Sequence, residues 1–350
     1  MHFDFKRVRP YLITRSLVPE NQESPIHFLK PKQPVSSNLF YRRNHFAYPI
    51  LTSDSLTLKI SGLVNNPIIL GYSDLQQFPS ESITALIECS GNKRAFFKEK
   101  VFGEQWESGA MSEGNWRGVP LAKLLMYCGI SSRAKEIVFR GRDSGIKNGE
   151  NVFFERSLPI SKAIDPEVIV AFEYNGKPLT YKHGFPFRLI VPGWYGMASV
   201  KWLSEISVID SDFRGPFQTE DYVYYYPEGI QLPVTENKVN STILRPLDKQ
   251  IISEGKHTIK GIAWTGLGRI ETVEISFDQG QNWEAVRLKQ EPQKYQIVEW
   301  IYEKDFLSGE KYQIAVKATD STGATQPLEG TWNKKGYGYN GCMEISVKTE

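Results

Sequence analysis

Of the three cysteines in this chain, Cys89 has the surroundings best suited to chemistry. It follows the strand-like run 82–88 and opens the polar, basic turn Ser90-Gly91-Asn92-Lys93-Arg94. Nearby cations favour thiolate over thiol, and the thiolate is the form that attacks electrophiles or binds soft metals. Lys93 and Arg94 are the cations expected to hold Cys89 deprotonated. Free cysteine is also common as a small buried residue, and the local sequence supports both readings.

The other cysteines, Cys128 and Cys342, make no Cys-x-x-Cys pair with Cys89, and the odd count argues against a disulfide framework or a cysteine-rich zinc site. His2, His27, His45, His183 and His257 show no metal-binding spacing. A metal held by side chains alone would need ligands from distant segments, so any metal is expected to bring its own organic ligand.

A length of 350 residues accommodates two domains, each with its own core. Charged residues at 23% and hydrophobic residues at 40% are typical of soluble globular proteins. Lys+Arg 42 against Asp+Glu 40 leaves +2, which gives no support for a nucleic-acid or polybasic membrane surface. No apolar run reaches the roughly 18 residues of a membrane helix. The start of the chain has no apolar signal region, cleavage site or twin-arginine pair, which points to the cytoplasm, or to the periplasm if a leader was removed. The 19 Phe, 17 Tyr and 8 Trp suit a deep rigid pocket or well-filled cores.

The elements that must position these residues follow from periodicity and punctuation. Residues 1–40, with Pro10, Pro19, Pro25, Pro31 and Pro34, read as an extended arm that wraps the body. Residues 55–62 and 82–88 read as strands, 72–79 as a short helix stopped by Pro79, and 120–129 as a helix with proline first, glycine last and Cys128 packing inward. Strands are expected at 136–140, 152–155, 168–174, 187–191 and 206–209. This mixture predicts an α+β domain over 41–234. Beyond Pro233, strands at 258–264, 272–277, 284–288, 296–302, 312–319 and 343–348, with a tight loop at 277–283, predict an all-β Ig-like sandwich over 235–350.

Cys89-Ser90-Gly91-Asn92-Lys93-Arg94 is followed by Gly103-Glu104-Gln105-Trp106-Glu107-Ser108-Gly109-Ala110-Met111-Ser112 and by Trp116-Arg117-Gly118-Val119-Pro120-Leu121. This order resembles the molybdopterin domain of the sulfite oxidase family, which includes assimilatory nitrate reductases and carries a Cys-x-Gly-Asn-x-Arg motif. Phe40-Tyr41-Arg42-Arg43-Asn44-His45 is similar to its Arg-Asn-His cofactor segment. His183-Gly184-Phe185-Pro186-Phe187-Arg188, with Val191-Pro192-Gly193, resembles its pterin-phosphate segment, and Val200-Lys201-Trp202-Leu203 the strand that closes that site. Gly261-Ile262-Ala263-Trp264-Thr265-Gly266 and Val273-Glu274-Ile275-Ser276-Phe277-Asp278 look like the attached Ig-type dimerisation domain. The resemblance runs from about residue 38 to the C-terminus.

The resemblance implies a molybdenum-molybdopterin cofactor with Cys89 as the one protein ligand to the metal. It places Arg188, His183 and Lys201 on the pterin phosphate, Arg43, Asn44 and His45 along the pterin, and Ser199 among the cofactor-binding residues. Asp143 corresponds to a residue near the pterin, although an aspartate in Arg142-Asp143-Ser144-Gly145 is equally a turn former. Arg188 lies in an apolar run where an unpaired charge is costly, which independently points to an anion partner. The implied reaction is oxygen-atom transfer to or from a small oxyanion or an S- or N-oxide. Arg43 and Arg94 would hold the oxyanion, and Trp106 would wall the pocket. The chain shows no haem or flavin region, so a separate electron carrier such as a cytochrome is implied, as is a homodimer through residues 235–350.

Two positions depart from the family pattern. Ser211-Asp212-Phe213-Arg214-Gly215 is similar to a stretch whose tyrosine hydroxyl faces the reacting centre, and Phe213 has none; Tyr222, Tyr224, Tyr225 and Tyr226 follow closely. Glu344 falls where a late arginine lines the anion pocket, and a carboxylate repels an anion. Both changes weaken sulfite as the expected substrate. Two other readings stand beside this one: a thiol nucleophile, Cys89, with His45 or His183 as base, and a non-catalytic binding protein acting through the Ig-like domain.

Overall fold

The computed structural model describes residues 11–28, 34–227 and 229–350. The start of the chain, where an export signal was sought, and residues 29–33 of the expected arm lie outside the described residues.

What is described of the arm is a hairpin rather than an extended strap. Strand β1 (Ile13–Leu17) pairs with β2 (Glu20–Glu23), and the bridge Gln22↔Arg42 fastens it to the body. The turn after it buries Ile26 in a cluster with Leu86, Met111, Leu244, Ile262 and Trp264, so this segment touches both halves of the molecule.

The first domain stacks two sheets built from β3 (Thr57–Gly62), β4 (Ile68–Gly71), β5 (Glu81–Glu88), β6 (Met111–Pro120), β7 (Glu136–Lys147), β8 (Glu150–Pro159), β9 (Ile169–Tyr174), β10 (Lys177–Pro178), β11 (Arg188–Ile190) and β12 (Leu203–Ile209). One runs β10-β9-β6-β5 with β11 added on β9, the other β4-β3-β12-β7-β8. Apolar residues of both sheets meet in one core, including Leu58, Ile60, Phe139, Val170, Leu189 and Ile206. Helix α1 (Tyr72–Leu75) is shorter than the predicted 72–79: it ends in a turn at Gln76, and Pro79 disfavours helical backbone at Phe78. Helix α2 (Leu121–Cys128) has its predicted bounds: Pro120 opens it, Gly129 closes it at φ 68°, and Cys128 is buried against the core. Helix is a minor part of this domain, which is more β-rich than the sequence suggested.

After the short pair β13 (Val223–Tyr225) and β14 (Gln231–Pro233) the chain enters the sandwich. Its strands are β15 (Asn240–Arg245), β16 (Gln250–Ile252), β17 (Gly255–Trp264), β18 (Ile270–Ser276), β19 (Glu284–Ala285), β20 (Arg287–Leu288), β21 (Val298–Phe306), β22 (Lys311–Asp320) and β23 (Met343–Thr349). They form sheets β15-β17-β21-β20 and β16-β23-β22-β18-β19. Ile259, Trp300, Ile314, Val316, Ile345 and Val347 fill the space between them. The loop at 277–283 is tied by Asp278, whose carboxylate accepts from Ser276, Gln281 and Asn282.

Candidate active site

Strand β5 delivers Cys89 to the end of the first sheet. Its amide donates to the Ala110 carbonyl at 2.9 Å, and Asn92 donates back to the Cys89 carbonyl at 2.8 Å, closing a tight turn. A Cβ at Gly91 would stand 2.7 Å from Nη2 of Arg94, so a larger residue there would displace that guanidinium. Lys93 turns the chain with a left-handed φ of 63°.

The sulfur faces a cavity lined by sixteen residues drawn from stretches far apart in the chain. From the sequence-derived set it gathers Arg43, His45, Cys89, Asp143, His183, Arg188, Ser199 and Lys201. Asn44 is absent from the wall. It is buried behind it, donates to the Glu20 carbonyl and accepts from Nζ of Lys201, so it positions that lysine instead of touching the cavity. Lys201 precedes β12 in irregular backbone rather than lying in a strand. Its Nζ also donates to the Arg43 carbonyl at 3.1 Å.

The charges are unbalanced. Arg188 is 4% exposed, lies 5.2 Å from the Trp116 ring centroid, donates weakly to the His183 carbonyl at 3.4 Å and leaves Nε without a partner. Burial lowers its affinity for a proton to about 10. Asp143 is the carboxylate of the cavity, and its Oδ1 has no partner. Burial raises its pKa, with Lys201 opposing, while burial and then Arg188 lower that of Lys201. Burial, followed by the charges of Arg188 and Lys201, takes His183 down to about 3, so its ring is neutral and offers hydrogen bonds without charge. His45 is likewise held neutral, by burial and then by Arg43 and Lys201. Burying cations without counter-ions is costly, and unpartnered donors beside them mark a place prepared for an anion.

Several sequence-derived expectations are corrected. Lys93 does not face Cys89; its Nζ donates to Asn240 Oδ1 at 2.7 Å and to the Ser241 carbonyl at 2.6 Å, in the seam with the sandwich. The cations acting on the sulfur are Arg43 and Arg94, and burial outweighs them, so the Cys89 thiol is pushed up. Arg94 stands behind the cavity wall, spending its donors on the carbonyls of Lys335 at 3.2 Å and Glu104 at 2.9 Å. Trp106 is fully buried in the core cluster behind Cys89 and is not part of the wall.

Phe213 lies away from the cavity, half-buried near Gly215, with its amide donating to Glu136 at 3.2 Å. From the stretch after Phe213 it is Tyr222 that lines the cavity, with its hydroxyl 2.9 Å from Nε2 of His45. Tyr222 is one of the four tyrosines that follow Phe213 in the sequence, and Asp221-Tyr222 is itself an acid–tyrosine pair. Glu344 is exposed on β23 and lines a different groove. From that late segment the residues nearest the cavity are Lys335, paired with Asp221 at 3.2 Å, and Tyr337, stacked on Tyr222 at 5.4 Å. Tyr41 and Lys182 also line the cavity, and both adjoin residues already singled out. With Phe213 and Glu344 removed from the site, the grounds for disfavouring sulfite disappear.

The nucleophile reading finds no base. His45 bonds Tyr222, His183 bonds Thr180 at 2.6 Å, and the Cys89 sulfur accepts from the Gly91 amide at 3.4 Å. Among the described residues no three His, Cys, Asp or Glu side chains converge on a metal position. The donor set therefore fits a group that brings its own metal ligands and negative charge, meeting one soft sulfur at Cys89 and cations at Arg188 and Lys201.

Fold and cavity together define a two-domain protein with a cationic cavity faced by one cysteine, suited to an anionic group that brings its own metal ligands. Residues 45–217 match the family model of the oxidoreductase molybdopterin binding domain, and residues 231–350 that of the Mo-co oxidoreductase dimerisation domain. The sulfite oxidase of Arabidopsis thaliana is 33% identical over 93% of this chain and 91% of its own length. The mitochondrial sulfite oxidase of Homo sapiens is 32% identical over 97% of this chain, which spans 66% of that relative. A crystal structure of the sulfane dehydrogenase SoxCD from Paracoccus pantotrophus is similar throughout, with a TM-score of 0.85 and 28% identity, covering 99% of this chain and 90% of that one. The chain belongs to the sulfite oxidase family: it is a molybdenum oxidoreductase of that type, and its cofactor is molybdenum-molybdopterin.

Proposed function

We propose that the chain oxidises a small sulfur oxyanion, with sulfite as the first candidate, and passes the electrons to a separate cytochrome-like carrier. The observation that carries the substrate is the Tyr222 hydroxyl standing in a cationic cavity with Arg43 and Cys89. The names of the relatives, sulfite oxidase and sulfane dehydrogenase, support the same sulfur chemistry. When bound, the cofactor supplies two-electron oxygen-atom transfer.

The chain's own residues divide the remaining work. Cys89 is the ligand to molybdenum. Arg188 and Lys201 neutralise the phosphate end of the cofactor, the neutral His183 donates to it, and Asp143, Ser199 and His45 orient the pterin. Arg43 attracts the oxyanion, and Tyr222 offers it a hydroxyl. The match of residues 231–350 supports a homodimer through the sandwich.

Protein from a molybdopterin-competent host should contain about one molybdenum per chain, and Cys89→Ser should lose it. With an artificial acceptor, sulfite kcat/KM should reach the usual enzyme range of about 10⁴–10⁸ M⁻¹s⁻¹ and drop about 10²-fold in Tyr222→Phe. Loaded enzyme that ignores sulfite but oxidises another sulfur anion would redirect the substrate assignment, and activity unchanged in Tyr222→Phe would remove the tyrosine from it.

A further inference from the structure

Arg156 lies on β8 only 2% exposed, and nothing proposed so far uses it. Its Nη1 donates to the Phe217 carbonyl, and its Nε has no partner. No ion pair joins it to a carboxylate among the described residues. Its guanidinium centre is 5.3 Å from the centroid of the Tyr222 ring. A buried, unpaired guanidinium is costly, and such a contact with an aromatic face recovers only part of that cost. The cost therefore bears on what the arginine holds.

What it holds is the approach to Tyr222. Residues Phe217–Asp221 form one π-helical turn, a rare conformation frequent at functional sites. Arg156 fixes its first carbonyl, while Lys147 at 2.9 Å and Lys335 at 3.2 Å fix the Asp221 carboxylate at its end. Tyr222 follows directly. One side of its ring meets Arg156, Tyr337 stacks on it at 26°, and its hydroxyl meets His45. Arg156 holds the backbone of the turn and lies on the ring, while His45 packs on the Phe217 side chain and meets the Tyr222 hydroxyl.

We propose that Arg156 is a positioning residue for the reaction: its buried guanidinium, bound to the Phe217 carbonyl and lying on the Tyr222 ring, fixes the Tyr222 hydroxyl in the cavity. This rests on Tyr222 serving as the hydroxyl of the site. Arg156→Met, Arg156→Lys, Tyr222→Phe and the Met/Phe double variant are compared as holoenzymes in sulfite oxidation, with molybdenum content as control. Arg156→Met should lower kcat about ten-fold with KM changed less than about two-fold, and Arg156→Lys should recover most of it. In the Tyr222→Phe background Arg156→Met should cost less than about two-fold, because the group it positions is gone. Equal losses in both backgrounds overturn the proposal and leave Tyr222 in place. An unaltered Tyr222→Phe enzyme overturns the tyrosine's role and the proposal with it. Should Arg156→Met fail to fold, Arg156→Gln, which keeps a donor for Phe217 but no charge, replaces it in the same cycle with the same deciding outcomes.

Discussion

Arg188 carries opposite consequences for the loaded and the empty protein. Without cofactor it is a buried cation with one weak hydrogen bond and an orphaned Nε; replacing such a charge by an apolar side chain of similar volume relieves its desolvation penalty. With cofactor the same charge neutralises an anion. Arg188→Met should therefore melt at the same or a higher temperature than the cofactor-free wild type, while its molybdenum content falls several-fold. A variant that is less stable when empty, or that loads normally, would show that the arginine serves the fold and not the anion. Most of this cavity was legible in the sequence, because Arg43, His45, Cys89, His183, Arg188 and Lys201 sit in short motifs whose order is itself the signal. The sequence leaves Tyr222 as one of four tyrosines that could supply the hydroxyl absent at Phe213, and only the chain path decides which enters the cavity. Arg156 was invisible for a different reason: in a strand of mixed composition an arginine reads as solvent-facing, and its burial depends on the turn that passes over it.

The β1–β2 hairpin is the element least expected from its sequence and most closely tied to the site. Glu20, after the hairpin turn, receives Arg42 at 3.0 Å, Lys182 at 3.0 Å and the Tyr48 hydroxyl at 2.5 Å, while its carbonyl takes Asn44. Asn44 in turn holds Lys201, and Lys182 lines the cavity. Burial acts to raise the Glu20 pKa, but the bonds from Tyr48 and Lys182 and the charge of Arg42 outweigh it and hold the carboxyl below its ordinary 4.5. A depressed acid contributes stability above its ordinary pKa and loses it as pH falls through the folded value. Glu20→Gln should thus cost about 1–2 kcal/mol near neutral pH, with the gap from wild type narrowing below pH 4.5. Denaturant melts at pH 7 and pH 3.5 check this, and a gap that persists at the acid end would mean the carboxylate's charge is not what matters. Strand β6 shows the same limit on reading elements. Met111–Pro120 contains two glycines, an asparagine and a proline, poor strand residues by propensity. Gly114 is there because the Tyr174 ring occupies the place of its Cβ, 2.1 Å away, a constraint set by a strand distant in sequence.

At the scale of the molecule the two domains share the turn that carries Cys89. Glu88, one residue before the cysteine, is 2% exposed and accepts the indole N–H of Trp264, on β17 of the sandwich, at 2.9 Å. Its other oxygen accepts from Asn92 at 2.9 Å, and Asn92 accepts from the Ala110 amide at 3.0 Å, so the sandwich reaches the cysteine turn through two side chains. Lys93 crosses the seam in the other direction to Asn240 and Ser241. The apolar part of the seam is the cluster of Leu86 and Met111 with Leu244, Ile262 and Trp264, closed by Ile26 of the N-terminal segment. Polar groups sealed in this way cannot be exposed on one side alone without leaving partners unsatisfied. The full chain should accordingly unfold in one calorimetric transition, although each half has its own core. Trp264→Phe keeps one six-membered ring but removes the pyrrole half with its N–H, leaving Glu88 short of a donor in a buried place, and should cost about 1–3 kcal/mol for the lost hydrogen bond and more for the void. Because the orphaned oxygen belongs to the residue beside Cys89, the variant should also lower molybdenum content. Two separate transitions in the wild type, or a Trp264→Phe protein that melts lower yet loads molybdenum fully, would mean that the sandwich supports the first domain only as a neighbour and does not help to set its cysteine.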